Sequence, residues 1–177
     1  MVNMEKIKGA KIFDGLNKDE LQDLAKICHE KRFWKDDIVI KQGEVDESMN
    51  ILIEGELRTE VEIPGFKESI SVHNLQPNDV FGELAFIARI PRSATVRCIS
   101  TATVLSLERT KFDKLYQKSP NIERIVMKNL AILLAERLKD TTIQMRDHLS
   151  KLPSKIITRK VKSFISELAY WTSKASL

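Results

Sequence analysis

Residues 81–96 read FGELAFIARIPRSATV, and this stretch determines how the rest of the chain is interpreted. Gly82 lets the backbone approach a bound molecule closely because it has no Cβ. The six residues that follow it have the composition to begin a short helix, whose free N–H groups at Leu84 and Ala85 would face an anion. Arg92 can donate two parallel hydrogen bonds to phosphate oxygens. The stretch therefore predicts a site for a phosphate-bearing ligand.

Two further polar side chains make this interpretation more specific. Glu83 is the sole carboxylate in the stretch, and it can accept a hydrogen bond from a sugar hydroxyl and offset the charge of Arg92. Ser93 adds a hydroxyl beside the phosphate or a base. A receptor for a cyclic nucleotide needs a cation for the phosphate, an acceptor for the ribose 2′-hydroxyl and close backbone N–H groups. The alternative is that Glu83 and Arg92 form an ordinary surface ion pair beside a turn.

The ungapped stretch resembles the phosphate-binding cassette of the cyclic nucleotide-binding domain family, whose members include catabolite activator-like regulators, regulatory subunits of protein kinase A and nucleotide-gated channels. The resemblance implies that Glu83 holds the ribose 2′-hydroxyl and that Arg92 with Ser93 holds the phosphate. The implied backbone contacts come from three residues: Gly82, Leu84 and Ala85. The implied ligand is cyclic AMP. Cyclic GMP stays open, because guanine-preferring members commonly carry threonine after the cassette arginine and adenine-preferring ones alanine, and Ser93 matches neither.

The function that the resemblance implies is that of a non-catalytic sensor. Ligand binding between a β-roll and a long helix would move the helix and so change the state of a regulated partner protein. Catalytic and metal-binding residues are not expected. His29, His73 and His148 are widely separated and belong to no metal-ligand pattern, and the sequence contains no P-loop.

Length and composition indicate the domain size and the cellular compartment that we expect for this protein. The 177 residues suit one domain of ordinary size plus an extension. The longest apolar run, residues 130–135, is far shorter than the roughly 20 residues that span a bilayer, and the first ten residues lack the apolar stretch of a secretion signal. We therefore expect a cytoplasmic protein without a transmembrane segment. Cys28 and Cys98 lack CxxC spacing and are predicted to be small core residues.

The pattern along the chain predicts an α+β fold. Asn17 and Glu20 have the spacing of a capping box, which predicts a helix over about residues 17–28. Short β-rich runs with turns at Gly43 and Gly55 then indicate a closed or sandwiched β unit. The family resemblance specifies an antiparallel, jelly-roll-like β-roll flanked by the N-terminal helix, a short cassette helix and a long C-terminal helix. The predicted strands are 36–41, 49–53, 56–63, 68–75, 94–98 and 103–107.

A helical signal runs from Pro120 to Leu152, with apolar or small residues in steps of three or four. At about 1.5 Å per residue this helix would span roughly 45 Å, longer than a small domain needs. Part of its apolar stripe is therefore expected to contact a second copy of the chain, giving a homodimer. The alternative is that the stripe folds back on its own β-roll.

Thr141 and Thr142 interrupt this stripe with two hydroxyls. Through the run ERLKDTT, the helix resembles that of the catabolite activator branch of the family. The resemblance implies that the two threonines contact the purine of the ligand, one from each protomer. The alternative is that they bond to backbone carbonyls one turn back.

Residues 153–177 restart an amphipathic pattern after Pro153, which predicts a second helix. From Lys151 onward there are six Lys and Arg but one carboxylate, Glu167. This basic tail suits nucleic acid, an acidic partner, a membrane surface or a solvated helix face. Transcription factors of the family continue into a helix-turn-helix domain, whereas this sequence stops at Leu177, so specific DNA binding is not expected.

The predicted organisation has three parts: a cyclic nucleotide-binding β-roll with its N-terminal helix over residues 1–118, a long helix for dimerisation and ligand covering over 119–152, and a basic amphipathic helix over 153–177. The alternative function is that of a catabolite activator-like transcriptional regulator that is shortened or binds DNA through its basic tail.

Overall fold

The N-terminal segment folds into short helical elements with buried apolar side chains. In the computed structural model, which describes residues 2–151, these elements are helix α1 (Glu5–Lys8), a 3₁₀ turn (Lys11–Phe13) and helix α2 (Lys18–Ile27). Their fully or almost fully buried side chains include Ile7, Ile12, Phe13 and Leu24. The segment is therefore an integral part of the core.

Helix α2 begins where its cap predicts. The side-chain oxygen of Asn17 accepts hydrogen bonds from the backbone N–H groups of Asp19 and Glu20, both at 3.0 Å. In return, the Glu20 carboxylate accepts from the Asn17 N–H at 2.9 Å. These reciprocal bonds satisfy N–H groups that a helix start otherwise leaves without partners. The predicted capping box is thus confirmed, and the helix ends at Ile27, one residue before the predicted boundary.

Within residues 2–151, eight strands follow and form two four-stranded antiparallel sheets. The strand orders are β1-β8-β3-β6 and β2-β7-β4-β5. This arrangement confirms the predicted antiparallel β-roll. Two strands were not predicted, namely β6 and the greater part of β1. The strands are β1 (Cys28–Phe33), β2 (Ile38–Ile40), β3 (Ser48–Glu54), β4 (Leu57–Val61), β5 (Ile70–Leu75), β6 (Val80–Phe81), β7 (Thr95–Cys98) and β8 (Ala102–Glu108).

Apolar side chains from both sheets share one core. The cluster contains Ile40, Leu52, Leu57, Leu75, Phe81, Val96, Cys98, Ala102 and Val104. The prediction that both cysteines are core residues is confirmed, since Cys28 and Cys98 are buried as free thiols. Burial raises the pKa of Cys28 to about 12, and burial together with the charge of Asp37 raises the pKa of Cys98 to about 11. Both thiols are therefore protonated at neutral pH.

The turn at Gly55 shows why a glycine is needed between β3 and β4. Its φ is 92°, in the left-handed region. A Cβ at this position would meet the backbone oxygen of Thr101 and would lie 2.8 Å from the Cα of Ala102. Gly43, the other predicted turn glycine, has a φ of 83°. Both glycines that the sequence placed in turns therefore have a positive φ.

Three further helices complete the described residues: α3 (Glu83–Ala88), α4 (Arg109–Tyr116) and α5 (Pro120–Ser150). Helix α3 is the predicted cassette helix, and α5 begins at Pro120 as predicted. Helix α4 was not predicted. The predicted end of the long helix at Leu152 and the predicted helix over 153–177 lie outside the described residues.

The first part of α5 packs against the N-terminal segment. It buries Ile122, Ile125, Val126 and Leu130. The side-chain amide of Asn129 donates to the backbone oxygens of Ile12 at 3.1 Å and Asp14 at 2.9 Å. These contacts belong to a compact unit that ends at Ile132.

The chain from Leu133 forms a second compact unit, of which residues 133–151 are described. Within it, Leu138 and Met145 of the predicted stripe are 69% and 47% exposed. The expectation of a homodimer through this stripe stays a prediction. Within residues 2–151, no helix combines the length and the hydropathy that a bilayer span requires.

Candidate functional site

The cassette begins with a tight backbone turn between β6 and α3. Gly82 adopts a left-handed conformation with φ 75° and ψ 9°. A Cβ on Gly82 would meet the Nη1 atom of Arg92 and would lie 3.1 Å from both Ile40 Cδ1 and the backbone oxygen of Ser48. From the sequence, we expected Gly82 to allow a ligand to approach the backbone closely. In the structure, the group that approaches the Gly82 backbone closely is the Arg92 guanidinium.

Arg92 is held inside the protein by three hydrogen bonds. Its side chain is 2% exposed. Nη1 donates to the Gly82 backbone oxygen at 2.9 Å, while Nη2 donates to Asp46 Oδ2 at 2.7 Å and to Ser48 Oγ at 2.9 Å. This degree of burial disagrees with the alternative of an ordinary surface ion pair. The guanidinium is fixed in one orientation next to the start of α3.

Asp46 is the residue that sequence reasoning missed. It lies 46 positions before Arg92, in the loop that precedes β3. Its carboxylate also accepts hydrogen bonds from the backbone N–H and the hydroxyl of Ser48, both at 2.9 Å. Burial acts to raise the pKa of Asp46, but the hydrogen bonds from Arg92 and Ser48 and the charge of Arg92 outweigh it and lower the pKa. Asp46 is therefore a stable anionic partner for Arg92.

One nitrogen of the Arg92 guanidinium, Nε, makes no hydrogen bond within residues 2–151. Nε is buried, and none of residues 2–151 accepts a hydrogen bond from it. A buried donor without an acceptor costs about 1–3 kcal/mol. The three recorded bonds use three of the five N–H groups of the guanidinium. The Nε–H group can therefore donate a hydrogen bond to an oxygen of an anion that binds beside Arg92.

The other predicted cassette residues differ in their exposure. Glu83 opens α3 and is buried although its side chain is polar, and Ala85 is buried as well. Leu84 and Ser93 are exposed. Leu84 and Ala85 lie in the first turn of α3, where backbone N–H groups point out of the helix start. The structure thus brings Gly82, Glu83 and Arg92 together, and the contacts implied for each residue with a ligand stay predictions.

Thr141 and Thr142 lie in the second unit, within α5. Both side chains are exposed. The Thr142 hydroxyl donates to the backbone oxygen of Leu138 at 2.7 Å. This is the bond to a carbonyl one turn back that was the alternative for these threonines. Their implied contacts with a purine stay predictions.

The three histidines are not brought together. His29 contacts Lys111, His148 lies 2.8 Å from the Gln144 backbone oxygen through Nδ1, and His73 is exposed on β5. Over residues 2–151, there is no group of three or more His, Cys, Asp or Glu side chains that could hold a metal ion.

Comparison with known proteins identifies the family that this chain resembles. The family model described as "Cyclic nucleotide-binding domain" matches residues 30–119. A cAMP-dependent protein kinase regulatory subunit from Dictyostelium discoideum is 30% identical to the chain over 113 residues, which make up 63% of this chain and 35% of that protein. The chain thus spans about a third of the length of this relative.

Solved structures share the fold. The catabolite activator protein of Thermus thermophilus matches with a TM-score of 0.68 at 24% identity, over 80% of this chain and 63% of that one. The regulatory domain of Toxoplasma gondii protein kinase A, crystallised with cAMP, matches with a TM-score of 0.63 at 26% identity, over 77% and 48%. Since the family model covers half of the sequence, including Gly82, Glu83 and Arg92, the chain belongs to the cyclic nucleotide-binding domain family.

Proposed function

We propose that this chain is a non-catalytic sensor of cyclic AMP that passes ligand occupancy on to a partner protein. Family membership supports the ligand class. The observation that carries the proposal is the buried guanidinium of Arg92, whose Nε–H finds no acceptor within residues 2–151. A cyclic phosphate supplies an acceptor and a single negative charge, so its binding would remove the cost of the unsatisfied donor.

The phosphate would be held by Arg92, by the Ser93 hydroxyl and by the backbone N–H groups of Leu84 and Ala85. In this scheme, Asp46 orients the guanidinium before the ligand arrives, because it binds Nη2 at 2.7 Å and leaves Nε free to donate. Such preorganisation reduces the ordering that binding would otherwise require. The left-handed turn at Gly82 allows the cation and the helix start to lie next to each other.

The ribose and the base would be recognised by other groups. Glu83, which is buried at the start of α3, would accept from the 2′-hydroxyl. Thr141 and Thr142 would contact the purine. The bound cAMP named for the Toxoplasma relative supports adenine as the first choice, and cyclic GMP remains the alternative ligand.

The output would be a change in the arrangement of the long helix, sensed by a partner protein or by a second copy of the chain. A ligand can drive such a change only if it binds one arrangement more tightly than the other. The exposed apolar side chains Leu138 and Met145 support a protein surface as the recipient of this signal.

Titration calorimetry with cyclic AMP and cyclic GMP tests the proposal. We expect saturable binding of at least one of them, and the control ligand 5′-AMP, which has the same base but an open and doubly charged phosphate, should bind more weakly. Absence of binding by both cyclic nucleotides at millimolar excess would overturn the proposal. Stronger binding of cyclic GMP would change the ligand but keep the sensor.

A further inference from the structure

Arg89 occupies a position where a helix usually has glycine. It follows the last residue of α3 and has φ 54° and ψ 40°, a left-handed conformation that costs an L-residue free energy. Its N–H donates to the Ala85 backbone oxygen at 2.9 Å, which ends the helix. Glycine would make the same turn without strain, so the backbone does not explain the arginine. Its side chain does.

The Arg89 guanidinium joins α3 to α4. Its Nη2 donates to Asp113 Oδ2 at 3.0 Å. The other oxygen of Asp113 accepts from Arg109 Nε at 2.6 Å. Arg109 in turn donates through Nη1 to the Phe86 backbone oxygen at 3.1 Å and lies over the Phe86 ring at 5.2 Å. One carboxylate on α4 therefore binds two arginines that both hold the end of the cassette helix.

Arg89 also lies near the loop that holds the phosphate cation. Its Nε is 3.9 Å from the carboxylate of Glu47. Glu47 stands between Asp46 and Ser48, the two residues whose side chains bind Arg92. Arg89 is thus placed between a loop that contacts Arg92 and a helix, α4, that leads directly into α5.

We propose that Arg89 and Asp113 are positioning residues that couple the state of Arg92 to α4. An anion bound at Arg92 Nε shares the positive charge of the guanidinium with Asp46 and so weakens the hold of Arg92 on the loop, which changes how strongly Glu47 attracts Arg89 away from Asp113. Coupling of this kind is reciprocal, so the strength of the Arg89–Asp113 pair also affects ligand affinity. The inference names the regulation of the proposed site, and its ligand-dependent part rests on the proposed function.

A ligand-free experiment tests the coupling by itself. Asp46→Asn weakens the hold on Arg92, and hydrogen exchange of the peptide covering α4 (109–116) reports the effect. We expect exchange there to rise by about two- to fivefold, a modest factor because Arg89 is more than half exposed and exposed pairs contribute little. In an Arg89→Gly background the same change should leave α4 exchange unaltered. An equal rise in both backgrounds would overturn the inference.

Arg89→Gly is a suitable background because glycine fits the left-handed turn, so we expect the variant to fold with undiminished stability. Asp113→Asn is the second background, since it keeps the size of the side chain and removes its charge. Arg124→Ala is the matched control, because within residues 2–151 the side chain of this arginine bonds only to Asn121 on α5. The control should respond to Asp46→Asn as the parent protein does.

The ligand-dependent arm uses cyclic AMP on the same proteins. Calorimetry should show affinities for Arg89→Gly and Asp113→Asn within about fivefold of the parent. Cyclic AMP should change α4 exchange in the parent and in Arg124→Ala but not in the two coupling variants. An undiminished response in those variants would overturn the inference. Failure of the parent to bind would count against the proposed function alone, and the ligand-free arm would then decide the coupling.

Discussion

Two regions of the molecule contain groups that lack partners within residues 2–151, but these groups are of opposite polarity. The regions are the cassette and the part of α5 beyond Ile132. In the cassette, a buried guanidinium N–H finds no acceptor within residues 2–151. Beyond Ile132, the apolar side chains of Leu138 and Met145 are exposed to solvent. A buried donor favours an anion, whereas an exposed apolar stripe favours another apolar surface. One chain therefore presents two features with different chemical requirements, the first polar and the second apolar.

The two regions also differ in how they are built. The cassette depends on contacts between residues far apart in sequence, such as the pair of Asp46 and Arg92. The described part of α5 beyond Ile132 depends on local helical periodicity, which repeats the same environment every three or four residues. A substitution of Arg92 should therefore have the largest and most specific effect, and substitutions along the stripe more graded ones.

The largest effect is expected for Arg92→Ala. In the proposed complex Arg92 pairs with the ligand phosphate, and losing one member of a desolvated charge pair costs about 3–5 kcal/mol, so the affinity for a cyclic nucleotide should fall by roughly 100-fold or more. Calorimetry measures the loss, and denaturant unfolding shows whether the variant is folded.

Two controls accompany this prediction. Arg92→Lys keeps the charge but loses the planar fork, so it should restore only part of the affinity. Arg124→Ala removes an exposed arginine outside the cassette and should leave the affinity unchanged. Retained affinity in Arg92→Ala would contradict the assignment of the cassette.

The next effect concerns the stripe. Leu138→Glu places a charge in the predicted dimer interface, and each buried leucine there is worth about 1.5–3 kcal/mol. We expect the dimer dissociation constant to rise tenfold or more, measured by sedimentation equilibrium. Gln144→Glu adds the same charge to the helix away from the stripe and should leave the dimer intact. A parent protein that stays monomeric at high concentration would contradict the prediction.

A smaller effect is expected for Glu83→Gln. The substitution replaces a charged acceptor by a neutral one, and hydrogen bonds to charged groups contribute about 1.5–3 kcal/mol. Affinity for cyclic AMP should fall by about tenfold, whereas affinity for its 2′-deoxy analogue should change little because that ligand lacks the hydroxyl. Equal losses for the two ligands would show that Glu83 does not contact the ribose.

The smallest effect is expected for the double substitution Thr141→Ala and Thr142→Ala. A typical hydrogen bond contributes about 0.5–1.5 kcal/mol, so the ratio of cyclic AMP to cyclic GMP affinity should change by only a few-fold. Ser150→Ala, another hydroxyl of α5 that bonds to a carbonyl of its own helix, is the control. An unchanged ratio would support the alternative in which the threonines bond only to the helix backbone.

Sequence patterns identified the elements that have their own local signals. The capping box of Asn17 and Glu20 marked the start of α2, and Gly43 and Gly55 marked turns with positive φ. Strand β1 escaped prediction because its central residues are exposed, so it lacks an alternating pattern and owes its conformation to pairing with β8. Helix α4 escaped because it follows β8 directly and the side chain of its N-cap residue, Glu108, makes no capping hydrogen bond to the backbone of the helix start.

By itself the sequence determined the family and the β-roll and predicted the cassette residues, because glycine, glutamate and arginine at those spacings are short-range information. Only the tertiary structure decided which groups surround Arg92 and Arg89. Asp46 reaches Arg92, and Asp113 reaches Arg89, through the folding of distant loops and helices onto the cassette. Long-range ion pairs of this kind leave no periodic trace in a single sequence, since their geometry exists only once the strands between them have paired.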